Sequence, residues 1–536
     1  MTERTLRTTV LILALLCTTT SVHGQLIAEQ EVSNSEGNLG ATLSSADYFG
    51  SSVTTLGDVD GDGVADLAVG AEGDDAFVPD GGAVYLLFMN ADGSVREHRK
   101  LTGNDLPSGA VAGGGNLGSA VARIDDLNAD GVRDMIVGAK GDDDTSSGLG
   151  ESSGAAWILF LDTAGNVIAE QKISETSGGF IGSLDPGDLF GRAVAILGDI
   201  GSNGSMEVAV GAPGDDDGGT DRGAIWILSL DSNGSVSTLK KISDGNGLPA
   251  NALADYDGFG TSISRLTKPN DGILIAVGAP FDDTGGPNRG AAWVLELDPL
   301  FNVVEMQKHA SSAGGLAAPL ADGSLFGRSV AGPGDLDGDD QADAMVGAPA
   351  ASTTDDHGEF WFENLEPGTY SVIDFSRVGS SSGGFSGRLQ SGDRFGQSLA
   401  AIGDHDGDGR VDYAVGVPYS DDGAANSGSI YVLFDNQAEP VAIEPKLPAD
   451  EVFAEPYPNP FRDETTMSLR LSADRHVRIE IYDLLGRLVH TLHDGVLKAG
   501  ESHSIRLDAS GWASGIYVYR VVNGDQVVAR KMVIAR

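Results

Sequence analysis

Three observations predict an all-β chain: a six-bladed β-propeller of four-stranded blades, with seven blades as the alternative count, followed by a small Ig-like β-sandwich. A Phe-Gly or Leu-Gly pair opening an apolar stretch recurs at Phe49-Gly50, Leu117-Gly118, Phe190-Gly191, Phe259-Gly260, Phe326-Gly327 and Phe395-Gly396, at intervals of 67 to 73 residues. Each interval holds four short strand-like runs joined by Gly/Asp turns, with no helical period between them. With 76 glycines and 6% aromatics, turns are plentiful and long helices are disfavoured, while 40% hydrophobic residues still suffice for a core. Repeated four-strand units are the pattern of blades packed face to face around an axis.

The elements follow in order. Residues 1–24 read as a signal peptide: Arg4 and Arg7 precede the short apolar run VLILALLC, and small residues lie ahead of Gln25. That run is too short to span a bilayer, so no transmembrane segment is expected in the mature chain. The single cysteine, Cys17, lies inside it behind Leu16, where a lipoprotein signal needs a small residue. An exported chain without disulfides needs another staple. Residues 25–435 form the propeller. Ile27 precedes Phe49 by the same interval, 22 positions, that separates Ile168 from Phe190. The mature chain therefore opens on a fourth strand with no first three before it. The sixth unit lacks its fourth strand and runs into proline-rich sequence, so the N-terminal strand is expected to complete the last blade. Residues 436–455, with Pro440, Pro445 and Pro448, are a semi-stiff linker. Residues 456–536 lose glycine, gain arginine and alternate as short strands of the sandwich.

The net charge of −45 excludes nucleic acid as a partner, because phosphates demand a basic face. The acids concentrate in one repeated phrase. GDVDGDGVADLAVGA from Gly57 returns as DDLNADGVRDMIVGA from Asp125, GDLDGDDQADAMVGA from Gly334 and GDHDGDGRVDYAVGV from Gly403. Carboxylates at positions 1, 3, 5 and 9 of a tight loop converge on one point, with the position-7 carbonyl as a further donor. Such an oxygen-only, multidentate set suits Ca²⁺, whereas Mg²⁺ prefers a smaller and wetter octahedron. Left without a cation, the like charges repel. Four sites are expected: Asp58, Asp60, Asp62 and Asp66 with the Val64 carbonyl; Asp126, Asn128, Asp130 and Asp134 with Val132; Asp335, Asp337, Asp339 and Asp343 with Gln341; Asp404, Asp406, Asp408 and Asp412 with Arg410. Position 12, where an EF-hand needs a bidentate Glu, is Val69, Val137, Val346 or Val415, which excludes that motif. A degenerate fifth loop keeps only Asp199, Asn203 and Glu207, and the fourth unit has lost the pattern and carries Lys268.

The Phe-Gly opening, the aspartate loop and the Gly-Ala-Pro endings at VGAPGDD, VGAPFDD and VGAPAAS resemble FG-GAP repeats, the units of the integrin α-subunit propeller. The resemblance implies calcium in the aspartate loops and an adhesive or binding role. The match covers roughly residues 25 to 435, and no RGD tripeptide is present. In the tail, YPNPF from Tyr457, YDLLGRLV from Tyr482, GIYVYRV from Gly515 and the terminal KMVIAR resemble the C-terminal sorting domain of the type IX secretion system. That resemblance implies contact with outer-membrane secretion machinery and a secreted or surface-attached product.

The reading is therefore a calcium-binding propeller that engages a protein or glycan, not an enzyme. A polysaccharide- or ester-degrading enzyme on the same scaffold and a purely structural surface protein are the alternatives. GESSG from Gly150 and GSSSG from Gly379 fit the nucleophile-elbow pattern but lie in Gly/Ser-rich loops, and GGGNLG from Gly113 opens a strand. No histidine pair or catalytic constellation accompanies them. Third-strand aromatics at Tyr85, Trp157, Trp226, Trp293, Trp361 and Tyr431 are expected to pack between blades.

Overall fold

The computed structural model describes residues 28–435 and most of 452–535. Short segments fall outside the described residues, the longest being 144–151, 201–203, 268–271 and 352–356 in the first unit and 454–458 and 483–487 in the second. The signal segment, nearly all of the linker, Asn203 and Lys268 therefore lie outside them. The chain divides into two compact units, Met1–Gln437 and Ala438–Arg536.

In the first unit, β1 (Ala28–Val32) is followed by the four-stranded antiparallel sheet β2 (Phe49–Gly57), β3 (Asp66–Ala71), β4 (Ala83–Met89) and β5 (Val95–Leu101). The same up-and-down order recurs in six successive sheets, one of which adds a short parallel fifth strand, Gly247–Leu248. Their innermost strands are β2, Leu117–Ile124, Ala193–Gly198, Ser262–Leu266, Ser329–Gly334 and Ser398–Gly403, and each packs against the innermost strands of two neighbours. Together they line an axial channel. Strand β1 pairs antiparallel with Ser429–Phe434, from Ala28 opposite Phe434 to Val32 opposite Ile430. The ring is thereby closed by strands from its two chain ends.

The repeated glycines explain how the sheets approach. Each Phe-Gly or Leu-Gly pair reaches back to the preceding sheet: the Phe259 N–H donates to the Arg222 carbonyl at 3.0 Å, and the Phe326 N–H to that of Arg289 at 3.0 Å. The following glycine turns at φ near +90° and presses its carbonyl onto the glycine of the preceding VGA triplet. A Cβ on Gly278 would meet the Gly327 oxygen at 1.8 Å, and one on Gly211 the Gly260 oxygen at 2.0 Å. Only a residue without a side chain lets two backbones come this close.

Outward from that contact lies a second repeat. The third-strand aromatics are buried, and several meet the phenylalanine of the Phe-Gly pair edge to face, as in Phe49–Tyr85 at 5.3 Å and Phe326–Trp361 at 5.7 Å between ring centroids. In four sheets the fourth strand places a lysine over the aromatic: Lys100, Lys172, Lys241 and Lys308 sit over Tyr85, Trp157, Trp226 and Trp293 at 5.0 to 5.4 Å. Each ammonium also pairs with a buried aspartate, Asp74, Asp142, Asp215 or Asp282. Two sheets change partners together. Where Ala351 replaces the aspartate, Arg377 covers Trp361 and pairs with Glu359 at 3.8 Å. Where Ser420 replaces it, Glu31 of β1 stands opposite Tyr431 and accepts its hydroxyl at 3.0 Å. The cation is kept only where a carboxylate remains to neutralise it.

A further carboxylate precedes the Phe-Gly pair in four sheets: Asp47, Asp188, Asp257 and Asp393, all buried. Each accepts an N–H three residues back, from Ser44 at 2.7 Å and Asp185 at 2.9 Å in the first two. Burial raises all four carboxyls, Asp188 to about 7 with Asp215 adding to the effect, and Asp257 upward with Asp282 as its like-charged neighbour.

The second unit is a sandwich of a three-stranded sheet (Val452–Phe453, Glu464–Arg470, Ser502–Asp508) and a four-stranded sheet (Leu488–Leu497, Arg475–Tyr482, Gly515–Asn523, Gln526–Ile534). Its core includes Phe461, Leu469, Val477, Ile479, Leu507 and Met532. No helix occurs among the described residues.

Two outcomes are expected. Gly278→Ala forces neighbouring sheets apart and should cost about 1–3 kcal/mol or more, read as a lower denaturation midpoint at unchanged slope. The raised carboxyls favour the folded state while protonated. Their contribution is fully present below the unfolded value near 4 and is lost as the pH rises through about 7. With chelator present, the melting temperature should fall between pH 5 and 8, and Asp188→Asn should flatten part of that slope. A melting temperature that rises over this window contradicts the assignment.

Candidate metal centre

Each aspartate loop joins the end of an innermost strand to the start of the second strand, so all of them lie at the same end of the ring. The fold of the loop is written in its own carboxylates. Position 1 ties the turn together: Asp58 accepts from the Gly61, Asp62 and Gly63 amides at 2.6, 3.0 and 3.0 Å. Asp126, Asp335 and Asp404 repeat this, for example with Gly131 at 2.8 Å, Gly338 at 2.7 Å and Gly407 at 2.8 Å. Position 3 accepts from the amide of position 5, and position 5 from that of position 7, as Asn128 does from Asp130 at 3.0 Å and Asp130 from Val132 at 2.8 Å. These are Asx-turns, which Asp and Asn form most readily.

Position 9 behaves differently. Asp66, Asp134, Asp343 and Asp412 are buried at the first residue of the second strand. Each accepts two backbone amides: Val59 and Met89 at 2.9 and 3.0 Å, Leu127 and Leu161 at 3.0 and 3.2 Å, Leu336 and Leu365 at 2.6 and 2.9 Å, His405 and Asp435 at 2.9 and 3.1 Å. One amide comes from position 2 of the loop and the other from the end of the third strand, so this carboxylate pins the loop to the sheet. Burial raises its proton affinity in every loop, to about 6 for Asp66 and Asp412 and about 7 for Asp343.

Three loops bring carboxylate oxygens together. One oxygen from each of Asp58, Asp60 and Asp62 lies within 4.8 Å of the others, and the same holds for Asp335, Asp337 and Asp339, and for Asp404, Asp406 and Asp412. Two oxygens bound to one Ca²⁺ at about 2.4 Å stand at most about 4.8 Å apart, so the donor sets fit that ion in spacing and in chemistry. Asp66, Asp343 and Asp408 stand outside these triads. In the second loop Asn128 takes the place of a carboxylate and donates to Asp130 at 2.9 Å. Of the position-7 residues, Val64 and Val132 turn their side chains onto neighbouring cores, Gln341 is buried, and Arg410 is half-buried. His405 is buried and its Nε2 bonds the Asn90 carbonyl at 3.0 Å, away from the cluster. In the degenerate loop Asp199 and Glu207 keep the tie and the pin, to Gly204 at 3.1 Å and Ile200 at 2.6 Å, while Asn203 is outside the described residues.

Sequence reasoning missed the basic partners. Arg96 of β5 pairs with both Asp60 and Asp62, and Arg133 crosses from the second loop to donate to the Asp58 carbonyl at 3.1 Å. The first two loops thus adjoin across a cleft of about 470 Å³ lined by Asp58, Asp66, Asp126 and Asp134.

Comparison with known proteins agrees with this architecture. Residues 49–87 and 184–228 match the FG-GAP repeat, and residues 455–535 match the secretion system C-terminal sorting domain. Integrin alpha-3 of Cricetulus griseus is 30% identical over 190 residues, 35% of this chain but 16% of that protein; integrin alpha-2 of Mus musculus is 34% identical over 174 residues, 31% and 13% of the two chains. A phosphatidylinositol-glycan-specific phospholipase D of Dictyostelium discoideum is 25% identical over 312 residues, covering 52% of this chain and 31% of that one. Among solved structures, PorZ, a surface component of the type-IX secretion system of Porphyromonas gingivalis, aligns with a TM-score of 0.35 at 15% identity over 92% of this chain and 60% of its own. The chain thus carries FG-GAP repeats similar to those of integrin α subunits, of whose length it spans less than a fifth, and a secretion system C-terminal sorting domain over residues 455–535. That tail marks it as secreted or attached at the outer surface. Among the described residues no helix is long and apolar enough to cross a membrane.

The two carboxylate roles separate by mutation. Asp343→Ala strands two buried N–H groups and should destabilise by about 2–5 kcal/mol with chelator present. Asp337→Ala, on an exposed turn, should leave stability in chelator nearly unchanged. Equal effects in chelator-treated melts would contradict the pin.

Proposed function

We propose that the ring is a calcium-stapled binding module, presented outside the cell, that engages a protein or glycan through loops at one end. The carrying observation is the set of three carboxylate triads whose oxygens lie within 4.8 Å of one another. The loops at Asp58 and Asp335 would hold Ca²⁺ through their position-1, -3 and -5 carboxylates and the loop at Asp404 through positions 1, 3 and 9, each with the position-7 carbonyl. In the loops around Asp66, Asp134, Asp343 and Asp412, the position-9 carboxylate would hold the backbone and, in the last, the ion as well. The second loop would bind through Asp126, Asn128, Asp130 and Val132, and we assign none to the degenerate fifth. The ion supplies positive charge that relieves carboxylate repulsion and ties each loop to its strand, in a mature chain without cysteine. The four loops fall on consecutive sheets that include the one closed by β1, so the ions would reinforce the seam. We place no reaction on the ring. The domain boundaries proposed are a signal peptide over 1–24, the propeller over 25–435, a linker over 436–455 and the sorting sandwich over 456–536.

The test is thermal. Extracellular calcium modules bind at about 10⁻⁴–10⁻³ M, so ~10 mM Ca²⁺ should add about 1.4–2.7 kcal/mol per occupied site. The melting temperature of the full chain should rise with Ca²⁺ and not with equal Mg²⁺. Asp335→Asn and Asp404→Asn keep an amide-accepting oxygen but lose charge, and should shrink the rise. A melting temperature indifferent to Ca²⁺ would falsify the reading.

A further inference from the structure

The chain carries a net charge of −45, yet the end of the ring opposite the aspartate loops gathers cations around the axis. The residue after each Phe-Gly or Leu-Gly pair lies there: Ser51, Ser119, Arg192, Thr261, Arg328 and Gln397. Arg192 Nη1 donates to the Ser119 carbonyl at 3.4 Å, and Arg328 reaches the Gln397 side-chain oxygen through Nε and Nη2 at 2.8 and 2.9 Å. Among the described residues neither guanidinium has a carboxylate at ion-pair distance. Lys140 stands where later repeats have the proline of Gly-Ala-Pro, and Glu72, at the same repeat position one sheet earlier, pairs with it at 2.6 Å. Burial first, and then the charge of Arg192, press the Arg328 guanidinium below its usual range. A guanidinium does not give up its proton in a protein, so Arg192 and Arg328 stay charged and share the carboxylate of Glu72 with Lys140, three cations to one acid.

Lys140, Arg192 and Arg328 line an open cleft of about 540 Å³ together with Thr261, Asn288, Asp221, Tyr256 and Phe281. The two aromatic rings are 62% and 40% exposed, among the few large apolar side chains of the ring left to solvent. Cations that outnumber their shared carboxylate, beside bare aromatic surface, call for a ligand that has both a negative group and a flat apolar face. A peptide carboxylate would satisfy the cations and leave the rings uncovered. A sugar ring stacks its C–H face on an aromatic and offers hydroxyls to Asp221, Asn288 and Thr261. The acidic remainder of the surface repels a continuous polyanion, so the acid group must be sparse. We propose that this cleft binds an acidic saccharide, one carboxylate- or sulfate-bearing sugar within a largely neutral glycan, with Arg192 and Arg328 on the anion and Tyr256 and Phe281 on the ring. The proposal rests on the binding-module reading and names its ligand class.

Calorimetric titration of the full chain in Ca²⁺ tests it. The probes are methyl glucuronide and sulfated methyl glucoside, compared with neutral methyl glucoside, a short glutamate peptide and a nucleoside monophosphate. The acidic sugars should bind most tightly and weaken with salt. Arg328→Gln should lose roughly ten- to hundredfold in affinity. Phe281→Ala, which removes only an exposed ring, should also weaken binding and carries the test if Arg328→Gln fails to fold. The proposal is overturned if neither acidic sugar exceeds the neutral one, if the peptide or the nucleotide binds as well, or if folded variants bind unchanged. Both variants lie away from the aspartate loops, so an intact Ca²⁺-dependent melting shift alongside absent sugar binding would defeat this inference alone.

Discussion

The architecture depends on the close approach of a carbonyl to a glycine. At each junction the oxygen of one sheet's Phe-Gly glycine occupies the space a side chain would need on the VGA glycine of its neighbour, as Gly327 does against Gly278. Protein interiors are close-packed and respond to a single added methyl, so this contact sets how tightly the sheets crowd the axis. The phenylalanine before that carbonyl is drawn into the gap against the third-strand aromatic, and the lysine or arginine of the fourth strand closes over its other face. Backbone contact, aromatic wedge and ion pair are therefore successive layers of one junction, ordered outward from the axis.

Much of this was legible in the sequence, because repetition makes position meaningful. Phe-Gly spacing, aspartate spacing and the third-strand aromatic each recur at fixed offsets, and the strand order follows. The lysines were equally periodic but passed unnoticed, since a single charged residue on an alternating strand reads as solvent-facing. The signal that exposes them is paired change: Ala351 for aspartate accompanies Arg377 for lysine, and Ser420 accompanies Glu31. Spacing also placed position 9 among the ligands without saying which way it faces. That residue begins a strand, and its carboxylate serves the loop's own backbone as well as standing near the cluster. The cationic cleft was invisible because Lys140, Arg192 and Arg328 converge only once the ring is closed.

The two ends of the ring handle charge differently. One end carries aspartates whose mutual repulsion is tolerable only with a cation or with Arg96 and Arg133 nearby. The other end carries aspartates as well, Asp74, Asp142, Asp215 and Asp282 paired with fourth-strand lysines, but there Arg192, Arg328 and Lys140 share the one carboxylate of Glu72. A uniform acidic surface would have served solubility alone, whereas opposed poles on a rigid ring make two faces with different chemistry from one repeat. The departures from the repeat, Glu72 and Lys140 for proline and Arg192 and Arg328 for serine or threonine, all fall at the second pole.

The pairing of β1 with Ser429–Phe434 has a kinetic side. The first strand of the ring must wait for a partner roughly 400 residues later, which at about 5–20 residues per second of synthesis is on the order of 20–80 s. During that wait β1 has no partner, the condition in which a strand pairs with foreign edges. Contacts so distant in sequence form late. The seam between β1 and Ser429–Phe434 is thus the last junction of the ring able to form.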